Sequence, residues 1–406
     1  MEKIFTERAH LMCPHMTFGI AMSTEASFDG ARVKKSFDIL ADKHPFLRAV
    51  IGHDAEGNSY FYDVTDTSKI ELLLPDEPLT GVDDPALIDE YHELTDRDID
   101  VTKEGLLKAV VWRSEGGTVF LLVFHHLLAD GRGALNLALE LADLYAEDKI
   151  PGEVAEKLIS SADDLPKGSE MPFFSRLLVK KANKDLAAEG SAPLKYEQYH
   201  EYADDFVAND KVSISTRKTE AEEVASMAKA CREHGVTIND LLMAKMYLED
   251  DTDKIIIAKD IREKLPFYRE GALGNYATAF SVVVKNHNKD IWALASEVHR
   301  KVQKALADPR ALYLVLQCYA NLKPEVLDAA FMAAKGAFAS KSAEFIGKMF
   351  FGFDAPKGYS ITNLGRIENT NLSGAFFIPP ASPAIRKTVG VLTVNGEMRT
   401  CVCERK

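Results

Sequence analysis

"VFHHLLADGRGA", residues 123–134, decides how the chain is read. It closes the apolar run "TVFLLVF" (118–124) with two histidines and then places Asp130-Gly131 just ahead of a helical pattern. Neighbouring side chains on a strand point to opposite faces, so His125 and His126 cannot easily chelate one metal together. Asp130 adds a carboxylate beyond a turn, but the spacing does not match the usual ligand sets, and we assign no metal. Two readings remain. Both histidines are packed at a strand end, or one enters a cleft as a base while the other packs. Neutral imidazole is suited to taking a proton from a hydroxyl or amine near neutral pH. Asp130 would support such a base either directly or by holding the loop that positions it. Gly131 permits a tight turn or a close backbone approach. Titratable clusters at strand-to-helix junctions often mark sites, which favours the base.

Upstream, "GLLKAVVWRSEGGTVFLLVFHH" (105–126) predicts a hairpin turning at Glu115-Gly116-Gly117, its second strand buried on both faces. Downstream, Ala134, Leu137, Leu141 and Leu144 stand at helical spacing. Earlier, Asp29 can cap a helix with Val33, Phe37 and Leu40 on its apolar stripe, ended by His44-Pro45. "AVIGHDAEGNSYFYDV" (49–64) reads as two strands around Gly57-Asn58. Residues 151–211 turn to Pro, Gly, Ser and charge. We therefore divide the chain into a first lobe over 1–165, a crossover over 166–211 and a second lobe over 212–406. In the second half, Gly235 ends one helix and Thr237, with Asp240 three residues on, starts another. The strands "KIIIAKDIR", "GNYATAFSVVVK", "YSITNLGRI", "AFFIPP", "RKTVGVLTVNG" and "EMRTCVCER" make the whole an α/β protein.

The 406 residues are too many for one small core. A net charge of −13 disfavours general binding to nucleic acid or to an anionic membrane, which would need a local basic patch. The one basic cluster, Arg176, Lys180, Lys181 and Lys184, reads as a solvated helix face. Five scattered cysteines form no disulfide or zinc pattern, and Cys401 and Cys403 share a strand face. No apolar run is long enough to span a bilayer and the N-terminus is no signal peptide, so the expected location is cytoplasmic.

His125-His126-Leu127-Leu128-Ala129-Asp130-Gly131 is an intact HHxxxDG. It resembles the signature of the chloramphenicol acetyltransferase-like superfamily, which includes peptide-synthetase condensation domains and alcohol acyltransferases. "LADKHPFLRAVI", "KDIREKL...LGNYATAF" and "YSITNLGRI" look like further family elements in the family's order. They extend the resemblance from residue 37 to residue 367. "FFGFDAPKG" (350–358) is only a faint echo of the plant BAHD-type pattern, which lowers that reading. The resemblance implies two α/β sandwich lobes, a pseudo-dimer in one chain and a monomer in solution, with a tunnel between the lobes. It implies that His126 is the general base, reached from both tunnel mouths, and that His125 is packed. Asp130 would be structural, with Arg262 its counter-ion. Asn363, beside Thr362, would either donate to the oxyanion or cap a strand end. The implied activity is transfer of an acyl group from a coenzyme A thioester to a small alcohol or amine acceptor. The alternatives are a free-standing condensation enzyme fed by a carrier protein, and a silent binding or scaffold member of the fold.

Overall fold

The computed structural model describes residues 2–405 except 190–194, 251, 286, 288–289, 335–338 and 348–357. The 350–357 part of "FFGFDAPKG" thus lies outside the described residues. The apolar run ending in the two histidines becomes β7 (Gly117–His125), buried along its whole length. It is central in a five-stranded sheet ordered β12 (Gly374–Ile378), β2 (Thr17–Thr24), β7, β6 (Leu107–Ser114) and β5 (Glu71–Leu73). The β12–β2, β2–β7 and β7–β6 pairs are antiparallel, with Thr17 opposite His125 and Leu107 opposite Phe124, while β5 pairs with β6 in parallel.

The short helix α1 (Arg8–Leu11) precedes β2. α2 (Gly30–Lys43) begins where the sequence predicts, with the Asp29 carboxylate accepting from the Ala31 and Arg32 N–H groups. It packs on α4 (Gly131–Glu147), and α4 lies against β2. α3 (Pro85–Thr95) covers the opposite sheet face at β7. Phe18, Phe120, Leu122 and Phe124 enter one core, while Ala21, Val119, Leu121 and Val123 enter the other. Alternation along both strands therefore divides the apolar residues between two packed faces.

β3 (Ala49–His53) and β4 (Tyr60–Val64) form the hairpin read from Gly57-Asn58, and β1 (Glu2–Lys3) joins β4. The crossover residues contain two helices, Phe173–Ala188 and Tyr196–Asn209. The second lobe is built on a six-stranded sheet. Its order is β10 (Ala277–Val283), β9 (Lys254–Asp260), β11 (Gly358–Ile367), β13 (Ile385–Val394), β14 (Glu397–Arg405) and β8 (Val212–Thr219). Thr237 caps Ile238–Glu249 through the expected capping box with Asp240.

One strand changes sides. β12 lies in the chain between β11 and β13, both in the second sheet, but it pairs with β2 from Gly374–Ser23 to Ile378–Gly19. The two α/β lobes expected from the sequence are thus joined by a strand exchange. All five cysteines are buried free thiols. Among the described residues no helix is long and apolar enough to cross a membrane.

Candidate active site

The β2–β7 ladder continues past its last strand residue. The His126 N–H donates to the Met16 carbonyl at 2.7 Å, and the His125 N–H donates to Leu106 at 2.9 Å. The chain then turns, its Leu127 carbonyl accepting from the Tyr62 hydroxyl at 2.7 Å, and α4 begins. His125 is buried. Its Nδ1 accepts from the Leu127 N–H at 3.2 Å, and burial pushes the imidazole down to about 3. His126 is half-buried and borders a cavity of about 120 Å³ between the lobes. Phe18 and Phe377 reach this cavity from one sheet, and Ala258, Ala277 and Thr362 from the other. Among the described residues no set of three or more His, Cys, Asp or Glu side chains is arranged to hold a metal ion.

Asn275 fixes the chemical state of His126. Its Nδ2 donates to the His126 carbonyl at 2.8 Å, so its Oδ1 is the atom facing His126 Nδ1 at 2.9 Å. An amide oxygen only accepts, so Nδ1 carries the proton and Nε2 keeps its lone pair. Burial lowers the His126 pKa, only partly offset by the Asp130 charge and the Asn275 bond. The ring is therefore neutral and basic at physiological pH.

Asp130 does not touch the His126 ring in any hydrogen bond among the described residues. Its Oδ1 accepts from the Gly133 N–H at 2.9 Å, capping α4, and from Arg262 at 2.8 Å. Its Oδ2 accepts from Arg262 at 3.0 Å and from the Tyr276 N–H at 2.7 Å. Burial alone would raise this carboxyl, but the guanidinium and the two N–H groups hold it below the usual carboxylate range. Arg262 is itself buried, also bonds Asp260 at 3.1 Å, and lies 4.9 Å from the Tyr276 ring centroid. Asp130 and Arg262 together join the start of α4 to the second lobe.

Gly131 does not sit in a left-handed turn. The approach is close instead, since an added Cβ would lie 2.9 Å from Leu364 Cδ2 and would have to displace the end of that side chain. Leu364 belongs to the segment that also brings Thr362 and Asn363 to the cavity wall. There the β11–β13 register shifts between Asn363 and Arg366, and Gly365 takes φ +87°. A bulge of this kind re-aims side chains. Asn363 Oδ1 accepts from the Gly365 N–H at 2.8 Å, so the residue caps the bulge as well as lining the cavity.

The comparisons agree with this geometry. A family model described as "Condensation domain" matches residues 13–160, which contain β2, β7 and the histidine pair. Surfactin synthase subunit 2 of Bacillus subtilis is 26% identical over 255 residues, covering 61% of this chain and 7% of that one. The first condensation domain of the calcium-dependent antibiotic synthetase, in complex with a substrate analogue, superposes with a TM-score of 0.60. It is 12% identical, with 98% of this chain and 87% of that one covered. Polyketide synthase associated protein 5 from Mycobacterium tuberculosis gives 0.58 at 15% identity, covering 100% and 92%. The fold is that of a condensation domain. The resemblance read from HHxxxDG is borne out, as is the two-lobed α/β class that it implied. The chain spans less than a tenth of the synthase subunit it matches.

Within this condensation-domain fold, two site residues escape the sequence reading. Asn275 stands in "LGNYATAF", noticed as a family element but given no role. His10 lies on α1, with its ring centroid 4.3 Å from that of His126 and the planes 22° apart. Burial, then the neighbouring His126 and His125, push His10 well below the ordinary histidine value. Nothing in the local sequence marks it, because the contact is made across the fold.

Proposed function

We propose that the protein transfers an acyl group from a thioester to an alcohol or amine, with His126 as general base. The observation that carries this reading is the Asn275 clamp, which leaves Nε2 unprotonated beside an interlobe cavity. Nε2 takes the acceptor proton as the acceptor oxygen or nitrogen attacks the thioester carbonyl. The tetrahedral intermediate collapses with cleavage of the C–S bond, and the imidazolium returns its proton to the departing thiolate. The Thr362 hydroxyl and the Asn363 amide, both on the cavity wall, are donors for the oxyanion. Similarity to synthetase condensation domains supports a donor thioester on a carrier protein ahead of the free coenzyme A thioester expected from the sequence. The reacting carbonyl is the same in both.

The test is thiol release from acyl-coenzyme A and acyl-carrier donors of graded length, offered with alcohol and amine acceptors. His126→Ala is expected to keep its thermal unfolding profile and to lose about 100- to 10,000-fold in rate. Full activity in this variant overturns the base assignment. A binding or scaffold role is the second reading, favoured by the small cavity and by the ring lying against His126. Absence of transfer across the whole screen would select it.

A further inference from the structure

We infer that His10 is a positioning residue for His126, an inference that rests on the acyl-transfer reading above. The His126 imidazole is held at Nδ1 by Asn275, is met at 64° by the Phe18 ring with centroids 5.2 Å apart, and stacks on His10. A single hydrogen bond leaves a ring free to tilt about it, whereas a parallel ring fixes its plane. His10 is not part of the cavity wall, so it covers a part of the base that the cavity does not reach. The acceptor then meets Nε2 from the cavity side. The segment carrying His10 is itself secured. β1 pairs with β4, the Arg8 Nε–H donates to Asp328 at 3.0 Å, and Arg8 lies over the Tyr60 ring at 4.3 Å. Asp328, itself buried, belongs to the helix Pro324–Ala334, so the second half of the chain anchors the segment that holds the base.

The experiment compares His10→Phe, which keeps a flat partner, with His10→Ala, which removes it. Steady-state acyl transfer and the 15N-detected imidazole signals of His126 are measured for both. His10→Phe should stay within about threefold of wild type. His10→Ala should lose about 10- to 100-fold in kcat, with KM little changed, because small misplacements of a catalytic group are costly. Its His126 signals should broaden or show both tautomers. If His10→Ala does not fold, His10→Leu, which fills the volume without a ring, takes its place. Unchanged kcat and unchanged imidazole signals in the ring-less variant overturn the inference. So does a His10→Phe variant as impaired as His10→Ala. If the wild type transfers no acyl group, the functional reading falls alone, and the imidazole signals still decide the role of His10.

Discussion

Asp130 holds the first turn of α4 with Oδ1 and the guanidinium of Arg262 with both carboxylate oxygens. Removing it strands a buried cation, so Asp130→Ala should destabilise the fold by about 3–5 kcal/mol, measured by denaturant unfolding. A loss below about 1 kcal/mol would show that the pair is dispensable. Glu7 presents the opposite situation. It is fully buried, makes no ion pair with any described residue, and burial pushes its carboxyl up to about 7. The folded state therefore keeps a proton that the unfolded state releases near 4.5. Stability falls as pH rises from that value towards 7, and the loss is complete above it, by up to about 3 kcal/mol. Glu7→Gln should accordingly raise the melting temperature more at pH 8 than at pH 4. An equal change at both would refute the buried-charge account.

At the level of elements, the local signals in the sequence are strong and the distant pairings are silent. The β6–β7 hairpin, the Asp29 cap, the Thr237 capping box and the helix after Gly131 are each written within a few residues of themselves. "AFFIPP" identifies a strand, but its six residues do not say that it leaves its sequence neighbours to pair with β2. The β11 bulge was equally illegible. "TNLG" shows a turn-prone asparagine and glycine, whereas the register shift depends on β13. The same division runs through the site. His125, His126 and Asp130 lie in one stretch, so a local reading groups them. The Arg262 partner came from a family resemblance. Asn275 and His10 meet His126 across sequence separations of 149 and 116 residues, where strand and helix periodicity carry no information.

Over the whole molecule, the crossing of β12 has a consequence for how the chain can be divided. Cutting within 166–211 looks natural from composition, and it yields a first piece whose five-stranded sheet lacks its β12 edge. β2 (Thr17–Thr24), buried at every position and still paired with β7, would then present one unpaired edge to solvent. Residues 1–211 expressed alone should form concentration-dependent aggregates in light scattering. Co-expression with 212–406 should return a soluble heterodimer, because the second piece supplies the missing strand. A monomeric, cooperatively unfolding first piece would contradict this. In engineering terms, the lobes are not interchangeable cassettes. Anyone grafting a new donor specificity onto this scaffold must carry residues 374–378 with the first lobe, or swap both halves together.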